Sequence, residues 1–287
     1  MRIIVTGAGG MLGVDVMRAG ERAGHEMVGL TRRDLDIAEA RPCLEAVAQL
    51  ESEAVINCAA WTDVDGAESQ PLEARAVNAQ GAGNLARAAV AAGVPLFHVS
   101  TDYVFDGVAP LDASGARRAY VELDPAGPRS AYGTTKLEGE RQVFGASLSH
   151  TVVRTSWLFG AAGRNFVDTM LDLGGDRDAV EVVADQVGCP TWTGHLAPAL
   201  VGLLVRGVTG PVHLAGAGHV SWNGFAVEIF RQAEINCRVE SSTTAAMGLP
   251  ARRPEWSVIE TGRDDVLPLP PWQDGLAGYL AAKRQTT

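Results

Sequence analysis

An apolar stretch, Arg2–Thr6, runs straight into Gly7-Ala8-Gly9-Gly10-Met11-Leu12-Gly13 and then into a helical pattern over 11–23. A strand that breaks into closely spaced glycines and reopens as an amphipathic helix leaves few architectures open. It is the first turn of a dinucleotide-binding βαβ unit. In such a turn Gly7 permits the tight bend, Gly10 lets the backbone approach a pyrophosphate, and Gly13 lets the helix pack close to the strand. The first N–H groups of the helix then face the phosphates. The GxxGxxG spacing alone would suit a purely structural turn. The strand before it and the helix after it carry the nucleotide assignment.

The rest of the first half repeats the alternation. Strands are predicted at 27–30, 54–57, 95–100 and 150–155, with helical stretches at 39–51, 67–92 and 131–145. Apolar strands alternating with helices predict an α/β Rossmann fold, a doubly wound parallel sheet. After Trp157 the pattern changes. Helices are predicted at 164–173, 194–206, 222–233 and 274–284, short strands at 180–183 and 211–214, and Pro- and Arg-rich chain without periodicity over 248–272. The expected organisation is a dinucleotide-binding domain over 1–156. A smaller C-terminal α/β lobe for substrate spans 157–287, its boundary approximate and interleaved with the sheet.

Composition narrows the function classes. Apolar residues make up 46% and charged residues 20%, as in a folded globular chain. The net charge of −10 argues against a nucleic-acid partner. The four cysteines, at 43, 58, 189 and 237, form no CxxC pair and are expected as reduced thiols. MRIIV is too short for a secretory apolar region. The uncharged runs 186–205 and 207–227 are interrupted by Pro, Gly and His, so no membrane span is expected. The expected location is cytoplasmic.

The second strand leads into Thr31-Arg32-Arg33. An acidic residue there would bind the ribose hydroxyl of NAD, whereas a basic one suits a 2′-phosphate. Arg32 therefore favours NADPH, with NADH still usable and two solvated arginines as the bland alternative. Asp36 and Ile37 come next and would border the adenine.

Tyr132-Gly133-Thr134-Thr135-Lys136 is a YxxxK motif on a predicted helix, and i, i+4 spacing puts both side chains on one face. A lysine beside a phenol stabilises the phenolate and lowers its pKa. Tyr132 could then hand a proton to a carbonyl oxygen as hydride reaches the carbon. Thr101, at the C-terminal end of a predicted strand, is placed to polarise the same carbonyl.

The chain resembles the extended short-chain dehydrogenase/reductases and, more narrowly, the dTDP-4-dehydrorhamnose reductases and related nucleotide-sugar 4-ketoreductases. The matching segments include VTGAGGMLG (5–13), NCAAWTDVDGAE (57–68), HVSTDYVFDG (98–107) and SAYGTTKLEGE (130–140). RTSWLFG (154–160), DQVGCPT (185–191) and RRPEWSV (252–258) extend the match to nearly the whole chain. The resemblance implies that Gly10, Met11 and Leu12 lie against the pyrophosphate and that Asp36 and Ile37 meet the adenine. Ala60, Trp61, Thr62 and Val99 would line the nicotinamide side. Tyr132 would be the proton donor, assisted by Thr101 and Lys136, and Thr101, Asp102 and Trp157 would contact the sugar. The implied reaction is reduction of the C4 ketone of a dTDP-4-keto-6-deoxyhexose, foremost dTDP-4-dehydro-L-rhamnose.

Two rivals stay open. One is a ketoreductase for another deoxysugar of a secondary-metabolite pathway. The other is a non-catalytic regulatory subunit of the methionine adenosyltransferase type. Some relatives hold magnesium at a dimer interface. Asp15, Asp264, Asp265 and Asp274 are acidic here but form no clear ligand set, so no metal ligand is assigned and a homodimer stays open.

Overall fold

Ile3, Ile4 and Val5 are all fully buried in the computed structural model, which describes residues 1–285. Successive side chains of a strand point to opposite faces. In β1 (Arg2–Thr6) Ile3 and Val5 enter one apolar cluster and Ile4 another, so both faces are covered. The first half continues through α1 (Met11–Arg22), β2 (Glu26–Leu30), α2 (Ala40–Gln49), β3 (Ala54–Asn57), α3 (Val64–Ser69) and α4 (Pro71–Arg75). A π-helical turn, Ala76–Gly81, leads into α5 (Ala82–Ala92) and β4 (Leu96–Thr101). After the 3₁₀ turn Asp102–Val104 come α6 (Ala131–Ala146) and β5 (Thr151–Thr155).

The second half runs through β6 (Leu158–Phe159), α7 (Phe166–Asp176), β7 (Ala179–Val183), β8 (Val187–Gly188), β9 (Thr191–Trp192), α8 (Thr193–Val205) and β10 (Gly210–His213). It ends with β11 (Val220–Ser221), α9 (Trp222–Ala233), β12 (Arg238–Ser242), α10 (Thr244–Met247) and α11 (Trp272–Arg284).

Six strands form one sheet in the order β10-β5-β4-β3-β1-β2, every neighbouring pair parallel. Helices α1 and α8 cover one face, and α2, α5 and α6 the other. This is the doubly wound α/β fold expected from the alternation. The order reverses at β1, with β2 on one side and β3 on the other, so a crevice opens beyond the C-terminal ends of β1 and β3. Gly7 sits at that point with φ +69°. A Cβ there would come within 2.6 Å of Ala59 N, on the segment after β3, so only glycine fits.

Residues beyond Trp157 return to this sheet, because α8 packs on α1 and β10 pairs with β5. The remaining C-terminal elements form a second layer. There α7, α9 and α11 enclose Phe159, Met170, Phe225, Ile229 and Leu276 beside the parallel pair β7–β12.

The helical stretch expected over 67–92, in one piece or two, starts earlier and is four pieces. Pro71 opens α4 because a proline's missing N–H is harmless at a helix start, and so it ends α3. β12 was not expected, since its sequence RVESS shows no apolar alternation and its pattern is mostly exposed. No helix among the described residues is long and apolar enough to cross a membrane.

Candidate active site

The N-terminus of α1 lies at the switch point, and Gly10, its N-cap, has no side chain to cap it. Gly10 N–H closes the turn onto Gly7 O at 2.9 Å, and the first helical bond runs from Val14 N to Gly10 O at 3.0 Å. The amides of Met11, Leu12 and Gly13 are left for an anion. Met11 and Leu12 thus have backbone groups to offer, while the Leu12 side chain is buried in the core.

At the end of β2, Thr31 N and Oγ1 both donate to Asp34 Oδ2, at 2.9 and 2.7 Å. The nearest carboxylate is thus folded back on its own turn, and those bonds hold it below the usual carboxylate range. Arg32 is exposed there without a hydrogen bond or ion pair to the described residues. Ile37 is buried, and Asp36 is exposed and accepts from Ala38 N at 3.0 Å.

Beyond β3, Asn78 grips the backbone of Trp61 from both sides. Its Oδ1 accepts from Trp61 N at 2.9 Å, and its Nδ2 donates to Trp61 O and to Thr135 Oγ1, both at 3.1 Å. Asn78 fixes the segment Ala60-Trp61-Thr62 against α6 from the π turn, a helical form frequent at functional sites. Sequence reasoning missed it, because nothing local marks a π turn.

Helix α6 starts at Ser130, whose Oγ accepts from Gly133 N at 3.1 Å. A Cβ on Gly133 would fall 2.2 Å from Tyr103 O, so this glycine lets the helix start press on the turn after β4. Tyr132 is thereby set beside Thr101, whose side chain acts on the phenol. Burial pushes the Tyr132 phenol up to about 12, partly opposed by Thr101. This differs from the expected lowering by Lys136, because burial dominates, and it suits a group that keeps its proton until a carbonyl takes it. Lys136 is buried, with Nζ donating to Val99 O at 2.7 Å, and burial brings it down to about 8.

Asp102 lies behind Thr101. Its Oδ1 accepts from Thr101 Oγ1 at 3.0 Å, and its Oδ2 is buried without a hydrogen-bond partner. Burial raises Asp102 to about 7, with the Ser257 and Thr101 hydroxyls opposing the rise. Trp157, just past β5, adopts φ +44° and stacks on Trp222 at 3.6 Å between centroids and 5° between planes. Trp222, at the start of α9, gave no signal in sequence as its partner. Arg253 and the Ala251 N–H both bind Asp65, at 2.7 to 3.1 Å, tying the irregular C-terminal segment to α3.

The acidic residues weighed for magnesium are engaged elsewhere or dispersed. Asp15 accepts from Thr193 and pairs with Arg18, and Asp265 pairs with Arg263. Among the described residues no three His, Cys, Asp or Glu converge on a point.

A phenol that holds its proton, one helical turn from a buried lysine and on the same sheet edge as the glycine turn, belongs to the short-chain dehydrogenase/reductase class. The RmlD substrate binding domain family matches residues 1–285, and the chain belongs to that family. The dTDP-4-dehydrorhamnose reductase of Streptomyces griseus is 43% identical over 270 residues, which is 91% of this chain and 86% of the relative. The solved dTDP-4-dehydrorhamnose reductase of Clostridium acetobutylicum ATCC 824 superposes with a TM-score of 0.91 at 38% identity, covering 99% of this chain and 100% of that one. That of Bacillus anthracis str. Ames, solved in complex with NADP, gives 0.93 at 34% identity, covering 98% and 99%. The resemblance carried by STDYVFDG, RTSWLFG and DQVGCPT is borne out over the full chain.

Proposed function

We propose that this protein reduces the C4 ketone of a dTDP-4-keto-6-deoxyhexose with NADPH, converting dTDP-4-dehydro-L-rhamnose to dTDP-L-rhamnose. The observation that supports this most is the Tyr132–Thr101–Lys136 set, inside a chain that matches reductases named for that substrate along nearly its whole length.

Bound NADPH supplies the hydride that goes to the sugar carbon. Tyr132 gives its proton to the carbonyl oxygen, so the ketone gains one hydride and one proton and leaves as the alcohol. Thr101 polarises the carbonyl once its hydroxyl hydrogen turns from Asp102 to the substrate oxygen. Gly7, Gly10, Met11 and Leu12 cradle the pyrophosphate, and Asp36 and Ile37 border the adenine. Ala60, Trp61, Thr62 and Val99 line the nicotinamide side. Trp157 forms an apolar wall for the sugar and Asp102 supports Thr101 beneath it. In this scheme 1–156 hold the cofactor and 157–287 mainly the sugar, and the protein works in the cytoplasm.

Incubation with NADPH and a panel of dTDP-4-keto sugars, with identification of the products, tests the assignment. Turnover of dTDP-4-dehydro-L-rhamnose is expected. Oxidation of NADPH with a different keto sugar alone would replace the substrate, and NADPH binding without oxidation across the panel would favour a regulatory subunit.

Arg32 gives a separate expectation. Its exposed guanidinium is available for a 2′-phosphate, so NADPH should exceed NADH in kcat/KM. Arg32→Ala should remove about 1–3 kcal/mol of that preference, the scale of a charged hydrogen bond. An NADPH/NADH ratio that does not move on substitution would leave Arg32 a surface residue.

A further inference from the structure

The chain has two lysines, Lys136 and Lys283, among 24 Lys plus Arg. The one it buries, Lys136, faces a hydrogen-bonded row of side chains that the reduction scheme does not use. Asn57, at the end of β3, is fully buried. Its Oδ1 accepts from the Ala59 backbone N–H at 3.0 Å and from Thr6 Oγ1 at 2.7 Å. A backbone N–H can only donate, so the orientation of the Asn57 amide is settled. Its Nδ2 must therefore be the group that meets His98 Nδ1 at 3.0 Å. An amide nitrogen also only donates, so His98 Nδ1 accepts.

Burial, and then the charge of Lys136, hold His98 well below the ordinary histidine range, so the ring is neutral. Its single hydrogen then sits on Nε2. That nitrogen lies 3.5 Å from Lys136 Nζ.

We propose that Asn57 and His98 are positioning residues for Lys136, a fixed donor pair that presents an N–H rather than a lone pair to the lysine amine. An N–H aimed at an ammonium disfavours the charged form and can donate to the neutral amine. The effect has the same sign as the burial of Lys136. Glu140 on α6 and Cys58 after β3 are the other titratable groups acting on Lys136, and both favour its charged form. The pair thus counters Glu140 and keeps the lysine able to exchange its proton close to neutral pH. Its relevance to turnover rests on the catalytic assignment of Lys136 made above.

Two measurements test it. In ¹⁵N-histidine-labelled protein, with His98 assigned through the backbone of β4, Nδ1 should show the shift of an unprotonated ring nitrogen and Nε2 that of a protonated one. The reverse tautomer would overturn the proposal, whatever the catalytic standing of Lys136.

The second uses Asn57→Asp, which replaces the donor by a carboxylate that still accepts from Ala59 and Thr6. The His98 hydrogen should move to Nδ1 and turn an Nε2 lone pair toward Lys136. With ¹³C at Cε of lysine there are only two signals to follow in a pH titration. The Lys136 midpoint should rise by roughly one unit more when His98 is present than in a His98→Leu background, where the new carboxylate acts by charge alone. Equal rises in the two backgrounds would overturn the proposal. Neither measurement depends on activity, so failure of the reductase assignment would be seen separately, in the product assay.

Discussion

Tyr132→Phe should lower kcat by roughly 10²-fold or more while NADPH still binds. The substitution keeps the ring, and with it the edge contact to Tyr103 at 5.7 Å between centroids. It removes only the hydroxyl, the group proposed to carry the transferable proton. Steady-state kinetics beside a direct measure of NADPH affinity separates the two functions. Near-wild-type turnover would dismiss Tyr132 as the acid. Loss of cofactor affinity with unchanged kcat would make it a binding residue.

Glu140→Ala should cost stability on the scale of a broken buried ion pair, about 3–5 kcal/mol. Arg154 Nε donates to Glu140 Oε1 at 3.0 Å and Arg154 Nη2 to Oε2 at 2.7 Å, with side chains only 8% and 3% exposed. Ser100 Oγ donates to the same carboxylate at 2.5 Å. Removing Glu140 leaves the buried Arg154 charge without a carboxylate, with only its Nη1 contacts to Glu122 O and His213 Nε2. The loss should therefore shrink when Arg154→Met accompanies it, because an uncharged side chain of similar length needs no partner. Urea unfolding of the single and double variants measures both. A loss below about 1 kcal/mol in the single variant would show that water or another acceptor replaces the carboxylate. Since Glu140 lies one turn after Lys136 on α6, it joins the position of the YxxxK helix to β5 and β4.

Some of this was legible from residue order because the physics is local. The β1–glycine–α1 unit depends on neighbours within a few residues, as does the Ser130 cap that starts α6. Strands buried on both faces read as continuous apolar runs, so the sheet was plain. The contacts that finish the site are not local. Asn57, Ala59 and His98 meet across two strands, and Asp65 waits for Arg253, 188 positions later. Trp157 reads as a lone aromatic until folding brings Trp222 onto it. Asn78 would pass for an ordinary helical polar residue, since a π turn has no composition of its own. The phenol was expected to be lowered by its lysine, a rule that compares charges, yet burial outweighs the charge here.

The place of β10 in the sheet bears on how the chain is made. β5 is bounded by β4 on one side and by β10 on the other, and β10 is supplied only at Gly210–His213. A nascent chain that has emerged through Ser156 therefore carries β5 as an open edge, a row of free N–H and C=O groups able to pair with another molecule. The face of α1 that α8 covers, through Leu196 and Leu200, is bare at the same moment. The six-stranded sheet is thus complete only after much of the second half of the chain has been synthesised. A fragment cut near Ser156 would lack the strand and helix that close its own core, and would be prone to self-association rather than stand as an excisable nucleotide-binding module.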